Sequence, residues 1–308
     1  MLYDLIIVGG GPAGSAAAIY ASRKRLNTLL IASEFGGQSV VSEKIYNWIG
    51  TIAIAGQELA NNLKNHVMAN AGDVLHTKEG TRVDSVLKKG DSFRVKTSSG
   101  EEFEGKTILI ATGSKRRKLE AENAERLEHK GLTYCATCDG PLFAGSDVVV
   151  IGGGNAAFES ASQLSAYCNS VTILNRSNEF RADEITVEKV LKNPRIKVIK
   201  NAVVSKVKGE KFVEGLTYKE VNTGEEKDLQ ITGIFIEIGQ IPNTDFVKDI
   251  VPLDNVGRIK IDPWTGKTET PGVWAAGDCT NVLYHQNNIA AGDAVKALED
   301  IYLNLHTK

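Results

Sequence analysis

The sequence predicts an α/β protein with two parallel-sheet nucleotide-binding units, and three observations carry that prediction. An apolar run that enters a glycine cluster and then a helix-forming stretch begins at Leu5. The same pattern returns at Val148, so the chain holds two βαβ units of the Rossmann-like kind. Its 308 residues are about twice the ~150 that serve as a prior for one domain, which leaves room for a separate domain around each unit.

The first unit reads Leu5-Ile6-Ile7-Val8-Gly9-Gly10-Gly11-Pro12-Ala13-Gly14 and continues into an alanine-rich stretch, residues 15–23, of good helix formers. Gly9, Gly11 and Gly14 fit Gly-x-Gly-x-x-Gly. The first permits a tight turn, the second lets backbone approach a pyrophosphate, and the third lets helix pack on strand. A phosphate would then sit at the positive end of the helix. About 20 residues on, where an acid is expected to bind the ribose, Glu34 follows the apolar run 28–31.

Lys88-Lys89-Gly90-Asp91 and Ser98-Ser99-Gly100 punctuate short alternating segments, the pattern of an antiparallel insertion. Thr107-Ile108-Leu109-Ile110-Ala111-Thr112-Gly113 reads as a buried strand ending in a small-residue turn, and Lys115-Arg116-Arg117-Lys118 as a solvated linker face, with partner docking as the alternative. Cys135-Ala136-Thr137-Cys138-Asp139 follows. Two cysteines at this spacing at a helix start can close a small disulfide and lower one thiol's pKa, and the adjacent carboxylate can shuttle a proton. Half of a zinc site and two packing thiols are the competing readings; zinc needs two further ligands, and no second Cys-x-x-Cys or histidine pair exists.

The second unit, Val148-Val149-Val150-Ile151-Gly152-Gly153-Gly154-Asn155-Ala156-Ala157, has alanine in the third glycine position, followed by a helix over 158–167 and a strand over 170–174. Beyond that strand stand Asn175-Arg176-Ser177 and Arg181, with no carboxylate; a guanidinium there can fork onto a 2′-phosphate, which favours NADP over NAD. A strand-rich stretch then leads through Gly233 to Pro242, another strand ends at Ala275-Ala276-Gly277-Asp278, and residues 288–303 form a closing helix.

Lysine and arginine total 36 against 38 acids, a net charge of −2, with 42% hydrophobic and 24% charged residues. That profile points to an ordinary soluble protein, without a nucleic-acid or membrane partner. No stretch has the ~18 apolar residues of a membrane span and the N-terminus lacks a basic leader, so a cytoplasmic location is expected. No metal is expected. Cys168 and Cys279 are read as packing residues, and His66, His76, His129 and His306 as isolated surface residues. Hydrolase, P-loop and zincin motifs are absent.

The two dinucleotide folds, Cys135-Ala136-Thr137-Cys138-Asp139-Gly140 ahead of the second, and Ala275-Ala276-Gly277-Asp278 together resemble the low-molecular-weight thioredoxin reductase family over nearly the whole chain. Gly36-Gly37-Gln38, Tyr46-Asn47-Trp48-Ile49-Gly50 and Gln286 match as well. Cys138-Asp139-Gly140-Pro141-Leu142-Phe143 and Ile238-Gly239-Gln240-Ile241-Pro242-Asn243-Thr244 look like the reductase portion of the alkyl hydroperoxide reductase flavoprotein, which carries an extra N-terminal thioredoxin-like region not found in these residues.

The resemblance implies two three-layer ββα domains: an FAD-binding domain of residues 1–114 and 245–308, interrupted by an NAD(P)H-binding domain of residues 115–244 that carries the Cys-x-x-Cys. FAD would be contacted by Gly9, Gly11, Pro12, Ala13, Gly14, Glu34, Gly37, Gln38, Asn47, Ala111, Thr112, Gly113, Gly277, Asp278, Gln286 and Asn287. NADPH, or alternatively NADH, would be contacted by Gly152, Gly154, Asn155, Ala156, Arg176 and Arg181. Cys138 would exchange electrons with the flavin, Cys135 would attack the disulfide of a thioredoxin-like or glutaredoxin-like protein, and Asp139 would handle the proton. A homodimer is implied, as is rotation of the smaller domain about connections near 113–118 and 239–244. The alternative is a flavin reductase, an oxidase or a peroxiredoxin-system reductase feeding another acceptor. This chain departs from the family pattern at Asn175 and Ser177, where a His and a second Arg are usual, and in the polar turn His285-Gln286-Asn287-Asn288.

Overall fold

In the computed structural model, which describes residues 1–42 and 44–307, strand β1 (Leu2–Gly10) is apolar without interruption from Leu5 to Val8 because both of its faces are covered there. Leu5 and Ile7 point into a core shared with helices α1 (Pro12–Arg23) and α6 (Asn287–His306), while Ile6 and Val8 point into a second core on the other side. The sheet runs in the order β3 (Leu75–Glu79), β2 (Thr28–Phe35), β1, β6 (Glu102–Ile110), β5 (Ser92–Thr97), β4 (Val83–Lys89). The pairs among β3, β2, β1 and β6 are parallel, and β4, β5 and the start of β6 form an antiparallel meander. Late in the chain β17 (Val273–Ala275) adds in parallel to the second half of β6. Helix α2 (Gly56–Ala69) packs near α1 and β2. Helices, parallel sheet and meander thus make three layers.

The middle of the chain repeats the plan. Strands β11 (Ile196–Ile199), β10 (Ser170–Leu174), β9 (Asp147–Ile151), β15 (Gly233–Ile236) and β8 (Leu132–Thr133) lie in that order, all pairs parallel. Val148 and Val150 face helix α4 (Asn155–Leu164), next to which lie α5 (Glu184–Leu191) and the short α3 (Ala136–Asp139). Val149 and Ile151 face a second core shared with β12 (Ala202–Lys208) and β13 (Gly215–Glu220), which continue into an antiparallel sheet with β14 (Glu226–Leu229).

One compact unit comprises Met1–Lys115 with Ile241–Lys308, the other Arg116–Gln240. Two short strands at the crossings, β7 (Ser114–Arg116) and β16 (Gln240–Pro242), pair with each other. The division falls at 115/116 and 240/241, where the sequence reading placed it at 114/115 and 244/245. Residues 241–244 stay with the first unit because Asn243 Nδ2 donates to the Thr112 carbonyl (2.9 Å), Thr112 Oγ1 donates to the Asn243 carbonyl (2.7 Å) and Thr244 Oγ1 donates to the Gly257 carbonyl (2.6 Å). Helix α1 starts at Pro12 rather than residue 15, since proline at the first helical position carries no orphan N–H. Among the described residues no helix is long and apolar enough to cross a membrane, and no group of three His, Cys, Asp or Glu side chains could hold a metal.

Candidate functional site

The first glycine turn is built by close approach. Gly9 has φ of +119°, and a Cβ there would lie 2.2 Å from the Ala111 carbonyl oxygen; a Cβ on Gly14 would lie 1.7 Å from the Gly9 carbonyl oxygen. Both glycines let strand, turn and helix touch. At Gly11 a Cβ would meet nothing within 4 Å, so this residue faces open space. Gly11 is also the N-cap of α1, with no side-chain cap and no acid in the first turn, which leaves the helix N–H groups available to an anion.

That space is a cavity of about 710 Å³, within the range of small-molecule and cofactor sites. Gly9, Gly11, Pro12, Ala13, Glu34, Gly37, Gln38, Ala111, Thr112, Gly113, Gly277, Asp278 and Asn287 all line it. Gly14 does not, because it is spent on helix packing, and neither do Asn47 or Gln286. Those two amides bond to each other, Asn47 Nδ2 to Gln286 Oε1 at 3.0 Å. Ser39 Oγ donates to Asn287 Oδ1 (3.1 Å) and Asn288 Nδ2 to the Asn47 carbonyl (2.7 Å), so Gln286 and the first two residues of α6 are tied to Ser39 and Asn47. Gln38 Nε2 donates to the Ser114 carbonyl. The lining also includes residues 81–84 and 245–246, which no motif marked, and Asn243 and Thr244 from the end of the 238–244 motif.

In the second unit a Cβ on Gly152 would lie 2.3 Å from the Glu237 carbonyl oxygen, whereas one on Gly154 would meet nothing within 4 Å. Gly154 caps α4 without a side-chain bond, again leaving N–H groups open. Ala157 in the third position is fully buried against the sheet. The loop after β10 is tied down: Asn155 Nδ2 donates to Asp183 Oδ2 (2.7 Å), the Asp183 N–H donates back to Asn155 Oδ1 (2.8 Å), and buried Asn175 donates to the Ser177 and Glu179 carbonyls. Asn155 and Asn175 therefore shape this site, while Ala156 at the start of α4 is exposed. Arg176 and Arg181 are exposed and, among the described residues, form no ion pair. Glu237, at the end of β15, accepts from Ser160 Oγ at 2.7 Å; burial pushes its carboxyl above the usual range, opposed by that bond and by Arg116.

Cys135 and Cys138 are joined in a disulfide with Cα atoms 5.3 Å apart, at the start of α3. Cys135 is the N-cap, and its sulfur accepts from the Cys138 N–H at 3.1 Å. Both are half-buried. Asp139 closes the same turn, its N–H bonded to the Cys135 carbonyl (3.0 Å), and its carboxylate accepts from the hydroxyl of Thr133. Burial raises the Asp139 carboxyl above its ordinary range, while Thr133 and the nearby His129 pull the other way. Cys168 and Cys279 are buried, and His66, His76, His129 and His306 are exposed.

A family model described as pyridine nucleotide-disulphide oxidoreductase matches residues 3–294. The chain is similar to the thioredoxin reductase structure from Streptococcus pyogenes (33% identity, TM-score 0.90, covering 100% of this chain and 99% of that one). It is also similar to the one from Giardia duodenalis (30%, TM-score 0.92, 98% and 99%). Among curated proteins, an alkyl hydroperoxide reductase component of Pseudomonas aeruginosa and an NADH dehydrogenase of Bacillus subtilis are each 39% identical over 96% of this chain. The chain spans 57% of the length of both.

Proposed function

This chain belongs to the pyridine nucleotide-disulphide oxidoreductase family, and we propose that it passes electrons from NADPH through FAD and the Cys135–Cys138 pair to the disulfide of a thioredoxin-like or glutaredoxin-like protein. The observation that carries the reading is a closed Cys-x-x-Cys disulfide beside a half-buried carboxylate, in a chain whose two units each present an uncapped glycine turn.

FAD fits the first unit, since Gly11 opens onto a cavity with a helix N-terminus for the pyrophosphate and Glu34 at its wall for ribose hydroxyls. The nicotinamide cofactor fits the second, at Gly154 and Asn155, with Arg176 and Arg181 as the phosphate fork. When bound, the two cofactors supply the two electrons that return the disulfide to the dithiol. The remaining steps belong to the chain's own residues. The Cys135 thiolate attacks one sulfur of the partner's disulfide, the partner S–S bond breaks, and a mixed disulfide forms with one partner thiolate released. The Cys138 thiolate then attacks the Cys135 sulfur, which restores the internal bond and releases the partner's second thiolate. The partner gains two electrons and the pair loses two; the two protons that leave the dithiol neutralise the two partner thiolates. Asp139 holds one of them at its carboxylate.

The same reading includes a homodimer and a reducing, cytoplasmic compartment. Its test is Cys138→Ser, which is expected to abolish partner reduction while the nicotinamide donor still bleaches the bound flavin; retained disulfide turnover would refute the relay. A second reading, a flavin reductase or oxidase or a peroxiredoxin-system reductase, is favoured by the names of the two curated relatives. Full activity after substitution of both Cys135 and Cys138 would support its first two forms.

A further inference from the structure

We propose that Thr133 is the positioning residue for Asp139, holding the carboxylate beside the Cys135–Cys138 pair and keeping it able to give up its proton at working pH. The inference rests on the dithiol reading above and on one contact: Thr133 Oγ1 donates a hydrogen bond to Asp139 Oδ2. Three features make that contact a fixed one. Thr133 is only 6% exposed, so its hydroxyl has little water to turn to. Its strand, β8, is paired in parallel with β15 in the register Phe235↔Thr133, so the donor's backbone is set by the sheet. Asp139 is set independently by α3, where its N–H bonds to the Cys135 carbonyl. Two separately anchored elements therefore meet at one hydroxyl and one carboxylate, next in sequence to Cys138.

The chemistry calls for such a donor. A carboxyl in a half-buried position retains its proton, and one that never ionises cannot take a proton from a thiol. A hydroxyl aimed at the carboxylate favours the ionised form. Burial does raise Asp139, and Thr133 is the larger of the two influences that oppose it. The other is His129, in the turn ahead of β8. Glu128, next to His129 in the chain, is itself engaged, accepting from Lys118 Nζ (2.9 Å) and the Tyr134 hydroxyl (2.7 Å). Helix α4 packs on α3, where Thr137 Oγ1 donates to Gln163 Oε1 (3.1 Å), and its exposed Glu159 interacts with Glu237.

The test follows the reaction of the chemically reduced dithiol with a small aromatic disulfide by stopped flow from acid to alkaline pH. Wild type, Asp139→Asn, Thr133→Val and Thr133→Ser are compared, each first checked by thermal melting. The rate of the wild type should rise through a limb that Asp139→Asn lacks. Thr133→Val should move that limb up by about one pH unit, the scale of one hydrogen bond to a charged group, and Thr133→Ser should restore it. A folded Thr133→Val protein whose limb stays in place overturns the positioning role and leaves Asp139 as the proton group. A limb that persists in Asp139→Asn refutes the reading of Asp139, and the inference falls with it.

Discussion

Gly11 and Gly14 belong to one motif, yet the structure assigns them opposite phenotypes. At Gly14 a Cβ would sit 1.7 Å from the Gly9 carbonyl oxygen and 2.8 Å from its carbon, both backbone atoms. Alanine there forces the start of α1 away from β1 against a core in which Ala13, Ala17 and Ala18 are almost fully buried. Overpacking of that kind costs about 1–3 kcal/mol, or more when backbone must yield. For a domain of this size, that corresponds to a fall in melting temperature of roughly 2–12 °C. At Gly11 a Cβ meets nothing and the backbone is extended, φ −72° and ψ −172°. Gly11→Ala should keep apo stability within about 1 kcal/mol, the scale of an N-cap change. It fills the space where the pyrophosphate would lie, so FAD affinity should fall at least about tenfold, a loss of roughly 1.4 kcal/mol. Calorimetry of the apo proteins and fluorescence titration with FAD separate the two effects. A Gly14→Ala protein that melts like wild type, or a Gly11→Ala protein that binds FAD like wild type, would refute the reasoning.

Three further outcomes are expected. Complete burial pushes the Cys279 thiol from 9.0 to about 11, so the native state keeps a proton that the unfolded state loses; its contribution to stability should decline as pH rises from about 9 to about 11, and Cys279→Ala should flatten that decline in denaturant titrations at pH 9 and pH 11. Glu237, also raised by burial, keeps its proton above the ordinary value near 4.5, so stability should fall as pH rises from there through its folded value. Glu237→Gln, which preserves an acceptor for Ser160, should remove that slope in melting curves recorded from pH 4.5 upward. Arg176→Ala combined with Arg181→Ala should raise the KM for NADPH by tenfold or more and leave that for NADH within about twofold, as expected for loss of contacts to one phosphate.

Much of this architecture was legible because two covered faces leave an unbroken apolar strand and a pyrophosphate turn leaves glycines at fixed spacing. Leu5 to Gly14 and Val148 to Ala157 show both signals. What was not legible depends on distant partners. Residues 81–84 and 245–246 line the first cavity only because β4 joins the meander and the second crossing bonds to Thr112, and no local spacing announces either. Thr133 and Glu237 are single polar residues at the ends of buried strands, and their roles arise from Asp139 and Ser160 across a helix boundary. The polar turn 285–288 read as a departure from the family pattern. In the structure its amides tie Ser39 and Asn47 to the start of α6, an arrangement that needs side chains able to bond in both directions.

In the proposed relay, electrons from the nicotinamide donor reach Cys135 and Cys138. Its most direct test is to add one equivalent of NADPH anaerobically to the FAD-loaded protein, alkylate, and locate the labelled cysteines by mass spectrometry. Label is expected on both Cys135 and Cys138 and none on buried Cys168 and Cys279. A flavin that bleaches while Cys135 and Cys138 stay joined would contradict it.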